Sequence, residues 1–376
     1  MPSFLVLGCA NFYGRALIQQ LCRERDAAGD WEIRGVDKVL PELAGFPPHV
    51  QALYATFDYR MGNLRSADFL EQAFARPAGQ TWDYVFNFAA EHKFGLAPQA
   101  YAQDVHQLSV AVGRLAARLQ AGVLVQLSTA HVFRAKGGRH DEDARLDPPN
   151  ALAAAHVQAE AGLREIPGLA LVVLRPALCY GPGDRQNVVP MLIAALLSKA
   201  DGEKMPVLWD KDLRVNTVHV ADVADAALKC ARWHCGSPGA ATFNLADPGD
   251  TTNAALAQAV AGVFGAEPTF HSSAVNFLAK RLKPAELTEE VNESLLGPWM
   301  DLLAAHGIAN STLSPYLDQE HPYCRLDSHP LGVDGSRIAS TPAIGFSYAY
   351  AKVSTDALRA VVDEFQQLGL WPKIAL

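Results

Sequence analysis

The run Pro2-Ser3-Phe4-Leu5-Val6-Leu7-Gly8-Cys9-Ala10-Asn11-Phe12-Tyr13-Gly14-Arg15-Ala16-Leu17-Ile18-Gln19-Gln20-Leu21 decides how the rest of the chain is read. Phe4 to Leu7 is short and wholly apolar, as in a strand covered on both faces. Gly8 starts a tight turn, and from Tyr13 the apolar residues recur at helical spacing through Leu17, Ile18 and Leu21. Strand, small-residue turn and helix together read as the opening of a dinucleotide-binding unit, where free N–H groups at a helix N-terminus face a diphosphate. An ordinary strand–helix turn is the plainer alternative.

Working outward, Trp31-Glu32-Ile33-Arg34-Gly35-Val36 forms a second strand pattern ending in Asp37, roughly twenty to thirty residues beyond the glycine. A carboxylate at that strand end accepts hydrogen bonds from the adenosine ribose hydroxyls and repels a 2′-phosphate. NAD is therefore favoured over NADP, although Lys38 pulls the other way; a solvated loop charge is the alternative role for Asp37.

Composition sets the frame. The chain has 376 residues, 49% of them apolar and 19% charged, with a formal net charge of −8. That is enough for one large or two modest domains with a substantial core, and it carries neither a nucleic-acid footprint nor a polybasic membrane patch. Six cysteines show no paired C-x-x-C spacing, so neither a metal site nor a disulfide framework is expected. No apolar run reaches spanning length, and the N-terminus enters a strand almost at once, leaving no room for a signal peptide. A reducing, cytoplasmic setting without membrane insertion is the expectation.

Strand and helix patterns alternate over the first 175 residues or so. Gln51 to Phe57 reads as a strand, with Asp58 or Asn63 beyond it facing the adenine. Leu64 to Ala75 reads as a helix, Trp82 to Ala90 as a strand with a small-residue end, and 98–119 as a long helix. Val123 to Thr129 (strand), Ala151 to Leu163 (helix) and Ala170 to Leu174 (strand) follow. Such alternation specifies an α/β fold with a doubly wound, Rossmann-type parallel sheet and ligands at the carboxyl ends of its strands.

An ordered set of landmarks resembles the extended short-chain dehydrogenase/reductase family, the NAD-dependent epimerase/dehydratase group. It comprises the glycine turn, Asp37, Asn87-Phe88-Ala89-Ala90, Leu127-Ser128-Thr129-Ala130-His131-Val132-Phe133, Arg175-Pro176-Ala177-Leu178-Cys179-Tyr180-Gly181-Pro182-Gly183-Asp184, Val218-His219-Val220-Ala221-Asp222-Val223-Ala224 and Phe243-Asn244-Leu245-Ala246-Asp247. The resemblance covers residues 1 to about 262. It implies an NAD-binding part over 1–180, with 215–250 returning to it, and a substrate-binding cap over 181–214 and 251–376. Gly8, Asn11, Phe12, Gly14, Asp37, Asn63, Phe88, Ala89, Ala90, Ser128, His156 and Pro176 would then line the cofactor. The family's second glycine is Asn11 here, a residue that tolerates left-handed backbone better than most. Relatives pair through two helices, here 98–119 and 151–163, so a homodimer is expected by analogy.

The resemblance also implies a Ser/Thr that holds the reacting oxygen, a Tyr that moves the proton, and a Lys that lowers the Tyr pKa and binds the nicotinamide ribose. Thr129, beside Ser128, falls on the first position; both hydroxyls could instead satisfy strand-end backbone groups. Counting back from Glu160 places His156 on the Lys position and Leu152 on the Tyr position. The dyad is absent, and Leu152 exchanges no proton. His156 can bind the ribose and act as acid or base, or be a packed helical histidine. Lys93 or His92 can supply the relay or bind an anionic substrate, or be a solvated loop pair. Tyr180 is a lesser candidate for the substrate site. Arg185 and Arg214 fall where a substrate diphosphate would be held, with surface ion pairs as the alternative. No metal is implied. The leading expectation is an NAD-dependent oxidoreductase or isomerase/lyase acting on a hydroxyl or carbonyl of a small or nucleotide-linked substrate. The alternative is an NAD-binding sensor or scaffold with little catalysis.

Overall fold

The computed structural model describes residues 1–133, 138–270, 284–326 and 329–374. Among these, eleven strands run in chain order: β1 (Ser3–Leu7), β2 (Glu32–Asp37), β3 (Asp58–Met61), β4 (Tyr84–Asn87), β5 (Leu124–Leu127), β6 (Leu171–Pro176), β7 (Leu178–Tyr180), β8 (Met205–Val207), β9 (Thr217–His219), β10 (Ala240–Leu245) and β11 (Pro268–Phe270). Seven form one sheet in the order β10-β6-β5-β4-β1-β2-β3, every pairing parallel. The order reverses at β1, which lies between β2 and β4, so a crevice opens at its carboxyl end.

The helices are α1 (Phe12–Ala28), α2 (Pro48–Leu53), α3 (Ala67–Phe74), α4 (Pro98–Tyr101), α5 (Leu108–Arg118), α6 (Ala151–Arg164), α7 (Val189–Ala200), α8 (Val220–His234), α9 (Asn253–Gly262), α10 (Pro284–Ala305), α11 (Ser336–Ala339) and α12 (Thr355–Gln367). One sheet face is covered by α1 and α8, joined by Ile338, Ile344 and Phe346 from far along the chain. The other is covered by α3, α5 and α6 through Leu70, Phe74, Val112, Leu115 and Leu163. A further core gathers α7, α9, α10 and α12 around Trp299 and Trp371. Residues 271–283, which the sequence places in the cap, lie outside the described residues.

Most of the expected elements are present, with one exchange. Residues 51–57, read as a strand, fall in α2 and the loop after it, and the strand starts at Asp58. Pro48 opens the helix, and Val50, Leu53 and Tyr54 then share one helical face, with Val50 and Tyr54 buried. The long helix over 98–119 is interrupted by π-helical turns at Ala102–Gln107. Asp222 accepts from the Ala349 and Tyr350 N–H groups at 2.8 and 3.1 Å, tying down the C-terminal segment, while His219 Nδ1 caps α8.

The β1 turn depends on two glycines. Gly8 has φ +76°, and a Cβ there would meet the Ala89 backbone at 2.6 Å; at Gly14 a Cβ would lie 2.0 Å from the Gly8 carbonyl oxygen. Backbone cannot step aside as a flexible side chain can. Gly14→Ala should therefore cost roughly 2–3 kcal/mol or more, read as a lowered denaturation midpoint. A midpoint within ~0.5 kcal/mol of the parent would contradict this packing.

Candidate active site

A cleft of about 580 Å³ opens over the carboxyl ends of β1, β2, β4 and β5, where Gly8, Asp37, Ala89, Ser128 and Thr129 all line it. At its β2 end, Asp37 is 8% exposed and takes hydrogen bonds from the Ala10 (2.9 Å), Lys38 (2.7 Å) and Val39 (3.2 Å) N–H groups. Burial pushes its carboxyl pKa up while those N–H groups pull it down. Gly62 and Asn63, after β3, complete this end, with the Gly62 N–H on the Asp37 carbonyl. Asp58 is not part of it: its carboxylate is held by Arg34 and Arg60, which lower its pKa against the effect of burial.

Asn11 sits at the start of α1 with extended backbone, φ −77° and ψ 177°. It needs no left-handed conformation, contrary to expectation. Its Oδ1 accepts from the Tyr13 (3.1 Å) and Gly14 (2.9 Å) N–H groups, and its Nδ2 donates to the Phe88 carbonyl. Phe12, Ala89 and Ala90 line the cleft beside it. The Phe88 ring is fully buried in the core, so that residue reaches Asn11 through backbone alone, and Ala177 and Leu178 line the wall in place of the neighbouring Pro176.

At the β5 end, the residues expected to carry chemistry separate. The Ser128 hydroxyl donates to Glu160 at 2.6 Å, and Glu160 is gripped by Arg175 through Nε (2.9 Å) and Nη2 (2.5 Å). Ser128 is thus bound into a buried ionic network. Thr129 lines the cleft, its Oγ1 accepting from the His131 N–H at 3.2 Å. His156, on α6, is 2% exposed and its Nδ1 has no hydrogen-bond partner. The His92 ring stacks on it with centroids 6.4 Å apart. Burial first, then His92, pushes the His156 pKa down to about 3, with Glu160 opposing; burial likewise lowers His92 and takes His131 to about 4. These rings are neutral at pH 7. Leu152 faces the cleft with no proton to exchange.

Three expected residues stand apart. Lys93 is exposed and outside the cleft lining, its carbonyl taken by the Tyr101 hydroxyl. Tyr180 is fully buried, pointing its hydroxyl at the Lys352 carbonyl (3.3 Å) with its ring edge on His219, so it does not reach the site. Arg214 pairs with Asp250 at 3.1 Å away from the cleft. Arg185 does line it, bonded to Thr312 Oγ1 and, at 3.4 Å, to the Gly45 carbonyl.

Other side chains also converge here. Tyr13 has its ring 5.2 Å from His92, its phenol beside Cys179 and Asp184 and its pKa raised by burial. In the sequence Tyr13 counts only as a helix-face residue. Nothing marks out His131 within the Ser-Thr-Ala-His run, and only the 3₁₀ turn after Thr129 brings it to the cleft. Asp184 caps the approach to α7 through the Gln186, Asn187 and Val188 N–H groups, and burial lifts its pKa to about 6. Among the described residues no group of His, Cys, Asp or Glu is arranged to hold a metal ion, and no helix is long and apolar enough to cross a membrane.

Comparison with known proteins agrees with this architecture. No curated protein sequence matches the chain significantly. In fold it is similar to UDP-glucuronic acid 4-epimerase from Bacillus cereus, solved with UDP-glucuronic acid and NAD (15% identity, 97% of this chain and 99% of that one, TM-score 0.64). It is likewise similar to dTDP-glucose 4,6-dehydratase from Bacillus anthracis str. Ames with NAD (15% identity, 99% of both chains, TM-score 0.66). A third is the UDP-glucose 4-epimerase of Thermus thermophilus in complex with NAD (18% identity, 97% and 99%, TM-score 0.65). A family model, NAD dependent epimerase/dehydratase, matches residues 4–246, from the first strand of the sheet through β10. By that match, which takes in every strand of the central sheet, the chain belongs to the NAD-dependent epimerase/dehydratase family.

Proposed function

We propose that this chain is an NAD-dependent oxidoreductase or isomerase/lyase whose proton relay runs through histidine. It would act on a hydroxyl or carbonyl of a small or nucleotide-linked substrate. The observation that carries the reading is His156 Nδ1: a buried ring nitrogen without a partner, at the helix position that the resemblance gives to Lys, beside a second histidine. Burying an unsatisfied polar atom costs about 1–3 kcal/mol, so a ligand is expected to satisfy it.

The residues present fit a dinucleotide. Gly8 admits no Cβ against Ala89, and Asp37 ends β2 with its carboxylate in the cleft, where Oδ2, taking only the Ala10 N–H, has a lone pair left for a donor from the ribose. Bound there, NAD supplies a hydride acceptor or donor at the nicotinamide. Thr129 Oγ1 orients the reacting oxygen; Ser128, held by Glu160, fixes the strand end that carries Thr129. His156 accepts a hydrogen bond or proton at Nδ1, and His92 stacks on its face. Neutral rings suit a base better than an acid, and negative charge developing on substrate would raise their basicity. Arg185 holds an anionic part of the substrate, through donors not used by Gly45 and Thr312.

The test pairs binding with turnover. Asp37→Ala should weaken NADH binding by about tenfold or more, the worth of hydrogen bonds to a charged acceptor. His156→Ala should keep binding and lose about a hundredfold or more in turnover, the usual share of a general acid or base. Unchanged turnover in His156→Ala would remove that residue from the chemistry. A second reading, an NAD-binding sensor or scaffold, is favoured by Leu152 standing where a Tyr would move the proton; bound NADH that never turns over with any hydroxyl or carbonyl substrate would support it.

A further inference from the structure

Asn11 lies across the N–H groups that a diphosphate would need. Its amide orientation is fixed by its surroundings: two N–H donors, of Tyr13 and Gly14, face Oδ1, and the Phe88 carbonyl faces Nδ2. Turning the amide over would set Nδ2 against two donors and Oδ1 against an acceptor, losing all three bonds. The acceptor oxygen is therefore locked over the positive end of α1, a helix of 17 residues, with its partial negative charge facing the place an anion would occupy. Such a cap stabilises the empty helix, since Asn is among the best N-cap residues. It also leaves fewer N–H groups free: among the described residues, the Phe12 N–H is the first-turn donor still without a partner.

We infer that Asn11 is an affinity-setting residue that competes with the cofactor diphosphate for the α1 N-terminus, so that NAD binds weakly and exchanges between turnovers. This rests on the reading of the cleft as a dinucleotide site. The diphosphate must either displace the Asn11 side chain, losing the tie to Phe88, or bind further out with fewer donors. Either route lowers affinity and speeds release. The turn around it is tightly packed, with Gly8 and Gly14 each set against backbone.

The experiment measures NADH affinity by fluorescence titration and NADH release by rapid dilution, for the full chain and two variants. Asn11→Gly removes the competing acceptor at a small cost in capping, since Gly is itself a tolerated N-cap residue. It should tighten NADH by about tenfold and slow release to match, the worth of one or two hydrogen bonds to a charged group. Asn11→Asp keeps the cap but puts a full charge under the diphosphate, and should weaken NADH by at least about tenfold. Denaturant midpoints close to the parent show that the variants fold. Asn11→Gly binding no tighter than the parent, or Asn11→Asp binding as well as the parent, overturns the inference while leaving the cleft assignment intact. If neither the parent nor Asn11→Gly binds NADH at millimolar concentration, the cleft assignment itself fails, and the inference with it.

Discussion

Arg175→Met should lose about 3–5 kcal/mol of stability, more than any other single change described here. Glu160 is fully buried and its charge is met by three groups: Arg175 through two bonds, Ser128 at 2.6 Å and Arg164 at 3.1 Å. Arg164 is 36% exposed at its side chain and contributes as a partly solvated i,i+4 partner. Without Arg175 the carboxylate stays in the core with only partial compensation, the situation in which removing one partner of a buried pair is most costly. Replacing both, as Glu160→Leu with Arg175→Met, should recover most of the loss, because the pair's own desolvation disappears with it. The pH dependence has a definite sign. Arg175 and Ser128 hold the Glu160 pKa below its ordinary value despite burial, so its contribution is present above the unfolded carboxylate value of about 4.3 and fades as pH falls through the lower folded one. Denaturant unfolding of the single and double variants is the measurement. A loss under about 1 kcal/mol in Arg175→Met would mean that the network is solvated. Because Ser128 hangs from Glu160 and Thr129 follows it, the single variant should also lower turnover where the double, though stable, does not restore it.

The sheet was legible because its strands are buried on both faces and therefore read as short apolar runs: Phe4 to Leu7 and Leu171 to Leu174 are examples. At the sheet edge, where burial is incomplete, the signal weakened. β3 has exposed Asp58 and Met61 at its ends, and its pattern was lost beside the more apolar helix that precedes it. The Pro47-Pro48 pair carried the missing information, since a Pro at the first helical position starts a helix where a strand would have no use for it.

The cleft was legible wherever a residue acts through local chemistry. Gly8, Gly14 and Asp37 are dictated by a turn and a strand end, and the chain's own geometry places them together. Long-range pairing was not legible. Nothing near Ser128 announces that Glu160 will take its hydroxyl, or that Tyr180 will point away toward Lys352, 172 positions on. Lys93 and His92 are adjacent in sequence, yet the loop after β4 turns one outward and stacks the other on His156. Adjacent loop residues have no periodicity to fix their directions, so only tertiary packing could separate them.

The second large effect expected is acid lability centred on buried histidines. Burial holds His156 and His321 to about 3 and His131 and His219 to about 4. Each unfolded ring takes its proton near pH 6.5. A folded pKa below the unfolded one means that stability is complete above about pH 6.5 and falls steadily as pH drops toward the folded value, by roughly 1 kcal/mol per pH unit per ring. Buried carboxyls act in the opposite direction: Asp184 and Asp247, each raised to about 6 chiefly by burial, and Asp37, Glu142 and Asp222, also raised by burial, bind protons in the folded state first and so add stability as pH falls toward 4. The rings' loss and the carboxyls' gain oppose each other, so each ring's share is read from its own variant. His156→Gln removes one ring, faced by His92, His131 and Glu160, and should flatten the slope of unfolding free energy against pH by close to one proton. Identical slopes for parent and variant over pH 5–7 would show that His156 is protonated in the folded chain as readily as in the unfolded one. Its unpartnered nitrogen would then be facing water, and a ligand-side proton relay would lose the buried base on which it depends.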